Sequence, residues 1–152
     1  MTYVPGTEGC LSFLVRHAWL SMRGVVAEVL AAHELSVAQF GSLMLLDEEP
    51  GITVAELARK VSSTRQSANE MLAGMERAGM LERQPHPTDR RAQQVFLTDA
   101  GRERLRAATP EVFAVEARLE AEFSAAERDV VRRWLSTMTQ ASDAHGEEIP
   151  TG

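Results

Sequence analysis

The sequence has a single cysteine, and no apolar run approaches the roughly 20 residues that a bilayer span requires. Cys10 has no second cysteine with which to close an internal disulfide, so a reducing cytoplasm is expected. The chain begins without a basic segment followed by an apolar one, so no export signal is expected either. Also missing are a glycine-rich phosphate loop, a Gly-x-Ser-x-Gly elbow and any Cys-x-x-Cys or closely spaced histidine pair. The four histidines, His17, His33, His86 and His145, are scattered. Cys10 and His17 can share a helix face, but helical rise sets them roughly 10 Å apart, too far for a catalytic pair. No enzyme, no cofactor, no metal site and no membrane partner is expected.

What is present suits one ordinary domain of 152 residues, with 44% hydrophobic and 25% charged residues. Only the two ends lack a sustained apolar pattern. The net charge of -6 argues against a nucleic-acid partner until its distribution is read. Between Leu57 and Arg91, seven bases against four acids give that stretch +3 and leave -9 for the rest. A positive middle in an acidic body can face phosphates while the body limits indiscriminate sticking. Arginines outnumber lysine fifteen to one, and the guanidinium fork suits phosphate and guanine.

Helical spacing of Leu11, Leu14, Val15, Ala18, Met22, Val25, Val26 and Val29 predicts a long helix over about 8–33. Four pairs then read as capping boxes: Ser36/Gln39, Thr53/Glu56, Ser63/Gln66 and Ser124/Glu127. They predict helices over about 37–48, closed by Pro50-Gly51, 54–61, 65–78, closed by Gly79, and 124–141. Two short helices around the polar linker Ser62-Ser63-Thr64 form a helix-turn-helix candidate. Residues 80–84 and 94–97 read as strands about a charged turn at 86–91, a hairpin placed as a wing. A further long helix opens at Thr98, and Pro110 should kink or interrupt it. The fold class expected is mainly α with a small β-hairpin.

On a helical wheel of the fourth helix, Ala68, Met71, Leu72 and Met75 face inward. Gln66, Glu70, Ala73 and Arg77 face outward, flanked by Ser67 and Asn69, with Arg65 near the boundary and Thr64 just ahead. Gln and Asn can pair with adenine and Arg with guanine. The free N–H groups at a helix start can approach a phosphate. Any surface helix has a polar face, so the case for DNA rests on its neighbours, the short helix before it and the basic hairpin after it.

The stretch ERQPHPTDRRAQQVFLTDAG, from Glu82 to Gly101, resembles the wing of the MarR family of bacterial dimeric winged-helix regulators. The pattern is Asp-x-Arg at Asp89 and Arg91, a strand, then Leu-Thr-x-x-Gly at Leu97, Thr98 and Gly101. Upstream, LARKVSSTRQSANEMLAGMERAGML is similar to the family's two DNA-binding helices, ending in Glu76 and Gly79. The resemblance covers about 9–140, and its specific part is 57–101. It implies one domain over 1–152, with a winged helix-turn-helix at about 36–101 and helical dimerisation parts at about 8–33 and 102–141. It also implies a homodimer on a pseudo-palindromic double-stranded DNA operator, a repressor by default. Arg91 would enter the minor groove with Asp89 as its orienting partner, and Arg90 would touch phosphate. Glu70 departs from the basic or small residue often found there. It could accept from cytosine N4, or pair with Arg77 or Arg65.

Relatives often bind a small aromatic acid near the junction of the two parts, and His17, Trp19, Arg16 and Met44 are candidates for such a pocket. Plain core or solvated roles for them are the simpler reading. A second reading is redox sensing through Cys10 near the first helix start, as in the family's hydroperoxide-sensing branch. That branch also uses tyrosines, and here there is only Tyr3. A third is a winged-helix module for protein partners, which would not need Arg90 and Arg91 and would show an apolar patch on the fourth helix.

Overall fold

In the computed structural model, residues 6–61 and 64–146 are described, with side chains up to 141. The order is a 3-10 turn at Thr7–Gly9, then α1 (Leu11–Ala31), α2 (Val37–Glu48), α3 (Val54–Val61) and α4 (Arg65–Arg77). There follow β1 (Leu81–Pro85), β2 (Gln93–Leu97), α5 (Asp99–Leu119) and α6 (Ala125–Gly146). The expected class, mainly helical with one antiparallel hairpin, is the one observed. The chain divides into two compact units, one up to Val115 and one from Glu116 onward.

The first unit is built around Leu30, Leu43, Leu46, Leu57, Leu72, Met75, Val95 and Val112, all fully buried. They come from the apolar faces of α1 to α5 and from β2, so one core fixes the helix pair and the hairpin together. Three of the capping boxes form where expected. Ser36 and Gln39 exchange bonds of 3.1 and 2.9 Å. Thr53 and Glu56 do so at 3.2 and 3.0 Å, and Ser124 and Glu127 at 3.3 and 2.8 Å. The strand register pairs Leu81 with Leu97 and Pro85 with Gln93, leaving residues 86–92 as the turn.

Two expectations, those for Pro110 and for the Ser63/Gln66 capping box, are corrected, and the apolar surplus of α1 is seen directly. On α1 only Val26 and Leu30 are buried, while Leu11, Leu14, Met22 and Val25 of the apolar stripe are exposed. The stripe therefore exceeds what this unit's core can cover. Pro110 does not interrupt α5, which is helical from Asp99 to Leu119. The proline lies on the exposed face, where water can serve the carbonyl its missing N–H leaves unpaired. The remaining capping box, expected at Ser63/Gln66, is replaced by a cap one residue on. Ser63 lies outside the described residues, and Thr64 is the N-cap of α4, with its side chain accepting from the Ser67 N–H at 3.0 Å.

The Leu-Thr-x-x-Gly motif has a local physical cause. Thr98 donates its N–H to the Met80 carbonyl at 3.2 Å and its hydroxyl to the Gly79 carbonyl, while that hydroxyl accepts from the Gly101 N–H at 3.1 Å. The start of α5 is thereby tied to the end of α4. The approach is so close that a Cβ on Gly101 would stand 1.9 Å from the Met80 carbonyl oxygen.

In the second unit, Arg132 reaches both carboxylate oxygens of Glu120, at 2.6 and 2.8 Å. Arg128 donates to the Glu120 carbonyl at 3.1 Å. Burial, and secondarily the Glu120 charge, pushes the Glu116 carboxyl above its ordinary range. Phe123, Val130, Val131, Leu135 and Met138 of this unit are all exposed.

Gly101→Ala gains helix propensity of about 1 kcal/mol but must open a backbone contact, which costs about 1–3 kcal/mol. A lower urea midpoint than wild type is the expected result; an unchanged or higher midpoint would show that the contact at Met80 has slack.

Candidate nucleic-acid interface

The helix pair and the wing meet in a cleft of about 200 Å³. Thr53 and Ala55 at the start of α3, Arg65 and Asn69 on α4, and Arg91 and Gln93 on the hairpin line it. Arg65 and Arg91, 26 positions apart in sequence, thus face one space beside the N-terminus of a helix, a combination that suits an anion.

Its rigidity comes from backbone pairing that sequence reading missed. The loop before α3 joins β2 as a bridge between Thr53 and Gln94. The Gly51 N–H donates to the Val95 carbonyl at 3.0 Å, and the Val95 N–H to the Ile52 carbonyl at 3.0 Å. The Gln94 side chain adds a bond of 3.1 Å to the Gly51 carbonyl. Gly51 has φ +85, a conformation open to glycine and strained for other residues. The one signal in the sequence was this glycine after Pro50, which marked a helix end rather than a strand partner.

On α4, Ala68, Leu72 and Met75 are buried and Met71 half-buried, as expected, and Gln66, Ser67, Glu70 and Arg77 are exposed. Thr64 also donates its hydroxyl to Ser67 at 2.8 Å. Because Thr64 does the capping, the Gln66 side chain is not folded back on the backbone; it reaches Glu70 at 3.4 Å. Asn69 donates to the Arg65 carbonyl at 3.0 Å, which leaves its amide oxygen as an acceptor. Glu70 therefore pairs with Gln66, rather than with Arg77 or Arg65.

Arg83 is taken out of the basic set by two bonds of 3.3 and 3.1 Å to Glu76, which lock β1 to the end of α4. The Arg83 guanidinium holds the Glu76 carboxyl below its ordinary range. Lys60 pairs with Glu49 at 2.6 Å. Among the described residues, Arg65, Arg90 and Arg91 enter no ion pair.

Asp89 acts differently from expectation. No side-chain pair with Arg91 forms among the described residues; the carboxylate accepts from the Arg91 backbone N–H at 2.9 Å. A two-residue step brings that amide to an Asp side chain in an Asx turn, so the chain is held at Arg91 and the guanidinium is left outward.

A second cleft, of about 630 Å³, lies among α1, the start of α2 and the end of α3. Trp19, Arg23, Ser36, Lys60 and Val61 line it. Of the four pocket candidates, Trp19 alone lies there. His17 stacks on Phe13 with ring centroids 4.9 Å apart, Met44 packs against the core, and Arg16 is exposed. Cys10 is the exposed N-cap of α1, and the Ser12 hydroxyl at 3.5 Å, with the Phe13 N–H, lowers its thiol. Tyr3 lies outside the described residues. Among those described, no cluster of three His, Cys, Asp or Glu is gathered for a metal, and no helix is long and apolar enough to cross a membrane.

The sequence pattern of the MarR family matches residues 35–92. The HTH-type transcriptional repressor Rv2887 of Mycobacterium tuberculosis is 30% identical over 128 residues, covering 84% of this chain and 92% of the relative. The solved structure of the transcriptional repressor CouR bound to a 23-mer DNA duplex is 30% identical, with TM-score 0.78 over 91% of this chain and 99% of that one. The Mycobacterium tuberculosis transcriptional regulator MOSR, solved in complex with DNA, is 27% identical, with TM-score 0.72 over 89% and 97% of the two chains. These relatives are regulators and not enzymes, and the chain belongs to the MarR family of winged helix-turn-helix transcriptional regulators.

Proposed function

We propose that this regulator reads double-stranded DNA as a cytoplasmic homodimer, represses transcription, and is released by a small acidic effector. The cleft that gathers Arg65, Asn69 and Arg91 beside the start of α3 carries this reading. Thr64, Arg65, Gln66, Ser67, Asn69 and Glu70 present the first turns of α4 to the major groove. Gln66 and Asn69 read bases, and Arg65 takes a phosphate at the cleft. Arg90 touches phosphate, and Arg91 enters the adjacent minor groove, where negative potential is enhanced. Asp89 positions Arg91 through its backbone.

Residues 36–101 act as the DNA-binding part, and 8–33 with 102–141 as the dimerisation part. The support is apolar exposure: Leu11, Leu14, Trp19 and Leu20 on α1 and, separately, Val130, Val131 and Leu135 on α6 are each more than 40% exposed. Soluble monomers rarely leave so much contiguous apolar surface open. The larger cleft suits an acidic aromatic molecule, with Trp19 for its ring and Arg23 for its charge.

Arg91→Ala is expected to weaken binding to the duplex upstream of the gene about tenfold, or ~1.4 kcal/mol. Gln66→Ala should lower preference over a scrambled duplex by about 1–3 kcal/mol with less effect on the scrambled one. Fluorescence anisotropy measures both; equal affinity for Arg91→Ala, or a uniform loss for Gln66→Ala, contradicts the assignment. Sedimentation velocity should find a dimer in the wild type and a dimer at least about tenfold weaker in Leu135→Asp, since burying a leucine is worth about 1.5–3 kcal/mol; a monomeric wild type contradicts the dimer. An aryl carboxylate should raise the melting temperature of wild type and not of Trp19→Ala, and should release DNA; stabilisation without release would separate that cleft from regulation.

A further inference from the structure

The wing turn closes around a side chain that the DNA reading does not use. His86 is half-buried, and its Nδ1 accepts from the Thr88 N–H at 3.2 Å and from the Asp89 N–H at 3.1 Å. The Thr88 hydroxyl lies 3.3 Å from the same nitrogen. A backbone N–H can only donate, so Nδ1 must offer a lone pair and the neutral ring carries its proton at Nε2. Pro87 has no N–H and holds the residue before it extended, which projects the imidazole over the two amides that follow. The turn is completed by the His86 N–H on the Ala92 carbonyl at 3.1 Å and the Ala92 N–H on the Asp89 carbonyl at 3.2 Å. Asp89 in turn holds the Arg91 N–H at 2.9 Å. A continuous path of hydrogen bonds therefore runs from the imidazole through Asp89 to Arg91.

We propose that His86 is the positioning residue of the wing: its unprotonated Nδ1 shapes the turn that presents Arg90 and Arg91, and protonation there releases them and lowers DNA affinity. This rests on the wing's role in DNA binding proposed above. A proton on Nδ1 turns an acceptor into a donor facing two other donors, so those bonds are lost together. The charged groups around the turn are Asp89, Arg90 and Arg91 within it, Glu82 and Arg83 on β1, and Arg65 across the cleft. The added positive charge would by itself draw DNA, but at an exposed loop it is screened by salt. Two arginines and a loop that must be ordered anew cost more than one screened charge returns. The sign is therefore a loss of affinity on acidification.

The test uses the full-length protein as wild type, His86→Asn and His86→Ala. The asparagine oxygen takes the place of Nδ1 as an acceptor and does not titrate. Affinity for the upstream duplex is measured at about pH 7.5 and about pH 5.5, which bracket the ordinary imidazole range. The Thr88 and Asp89 amide NMR signals of the free protein are followed over the same range. His86→Asn should bind like wild type at the higher pH, and wild type should lose about tenfold relative to it at the lower. His86→Ala should bind weakly at both, and the two amides should move with the imidazole signal in wild type. Parallel pH profiles for wild type and His86→Asn, or amides that ignore the imidazole, overturn the proposal. If wild type binds no DNA at either pH, the DNA role fails and the proposal with it; amides that still follow the ring would then locate the error in that role and not in the turn.

Discussion

The pairing of the loop at 51–53 with β2 is the constraint on which the rest of the DNA face depends. A two-stranded hairpin alone is marginal in water. Here its inner strand is bonded on the other edge to the Gly51 N–H and the Ile52 carbonyl, and its own Gln94 side chain donates to the Gly51 carbonyl 43 positions away in sequence. The same loop ends in the Thr53 cap of α3, so the wing and the helix pair share a joint. Phe96 and Gln94 close over Gly51 so tightly that a Cβ there would approach them to 3.2 and 3.1 Å. A wing that swung free would not keep Arg91 opposite Arg65.

Charge is managed locally within an acidic chain. Glu76 and Glu49 neutralise Arg83 and Lys60, the bases that brace the framework. Among the described residues, the arginines at the cleft and the wing tip, Arg65, Arg90 and Arg91, enter no ion pair. With bases paired in the framework and arginines open at the cleft and wing tip, a net charge of -6 is compatible with the proposed phosphate-facing surface. At the wing tip, order comes through the backbone: His86 holds Thr88 and Asp89, and Asp89 holds Arg91.

Much of this was legible in the sequence because its signals are local. The bounds of α2 and α3 followed from capping boxes and apolar spacing, and Gly79, at φ +74, ends α4 as a left-handed residue should. The hairpin followed from the change of period after Gly79. What was not legible is what only the fold brings together. A one-residue bridge at Thr53 has no periodicity to detect. Ser63 and Thr64 are adjacent hydroxyls with a polar residue three positions on, so the choice of cap depends on the chain's exit from α3. The partner of Asp89 was expected to be a guanidinium, but a backbone amide two residues away is nearer and loses less entropy on binding. The apolar stripe of α1 was read correctly as helical. For the candidate DNA residues, the sequence marked α4 and the wing, while Thr53, Ala55 and Gln93 join them only in the folded cleft.

In the proposed mode of binding, α4 and the wing, held in register by the joint at Gly51, address adjacent grooves of one duplex, twice over in a dimer. Hydroxyl-radical footprinting of the protein on the duplex upstream of its gene tests this most directly, because the reagent cuts sugars exposed along the minor groove. Protected minor-groove segments are expected in two copies related by a two-fold axis, lying outside the major-groove contacts and lost in the outer segments for Arg91→Ala. A single protected patch without two-fold repeat, or an Arg91→Ala footprint identical to wild type, would contradict it.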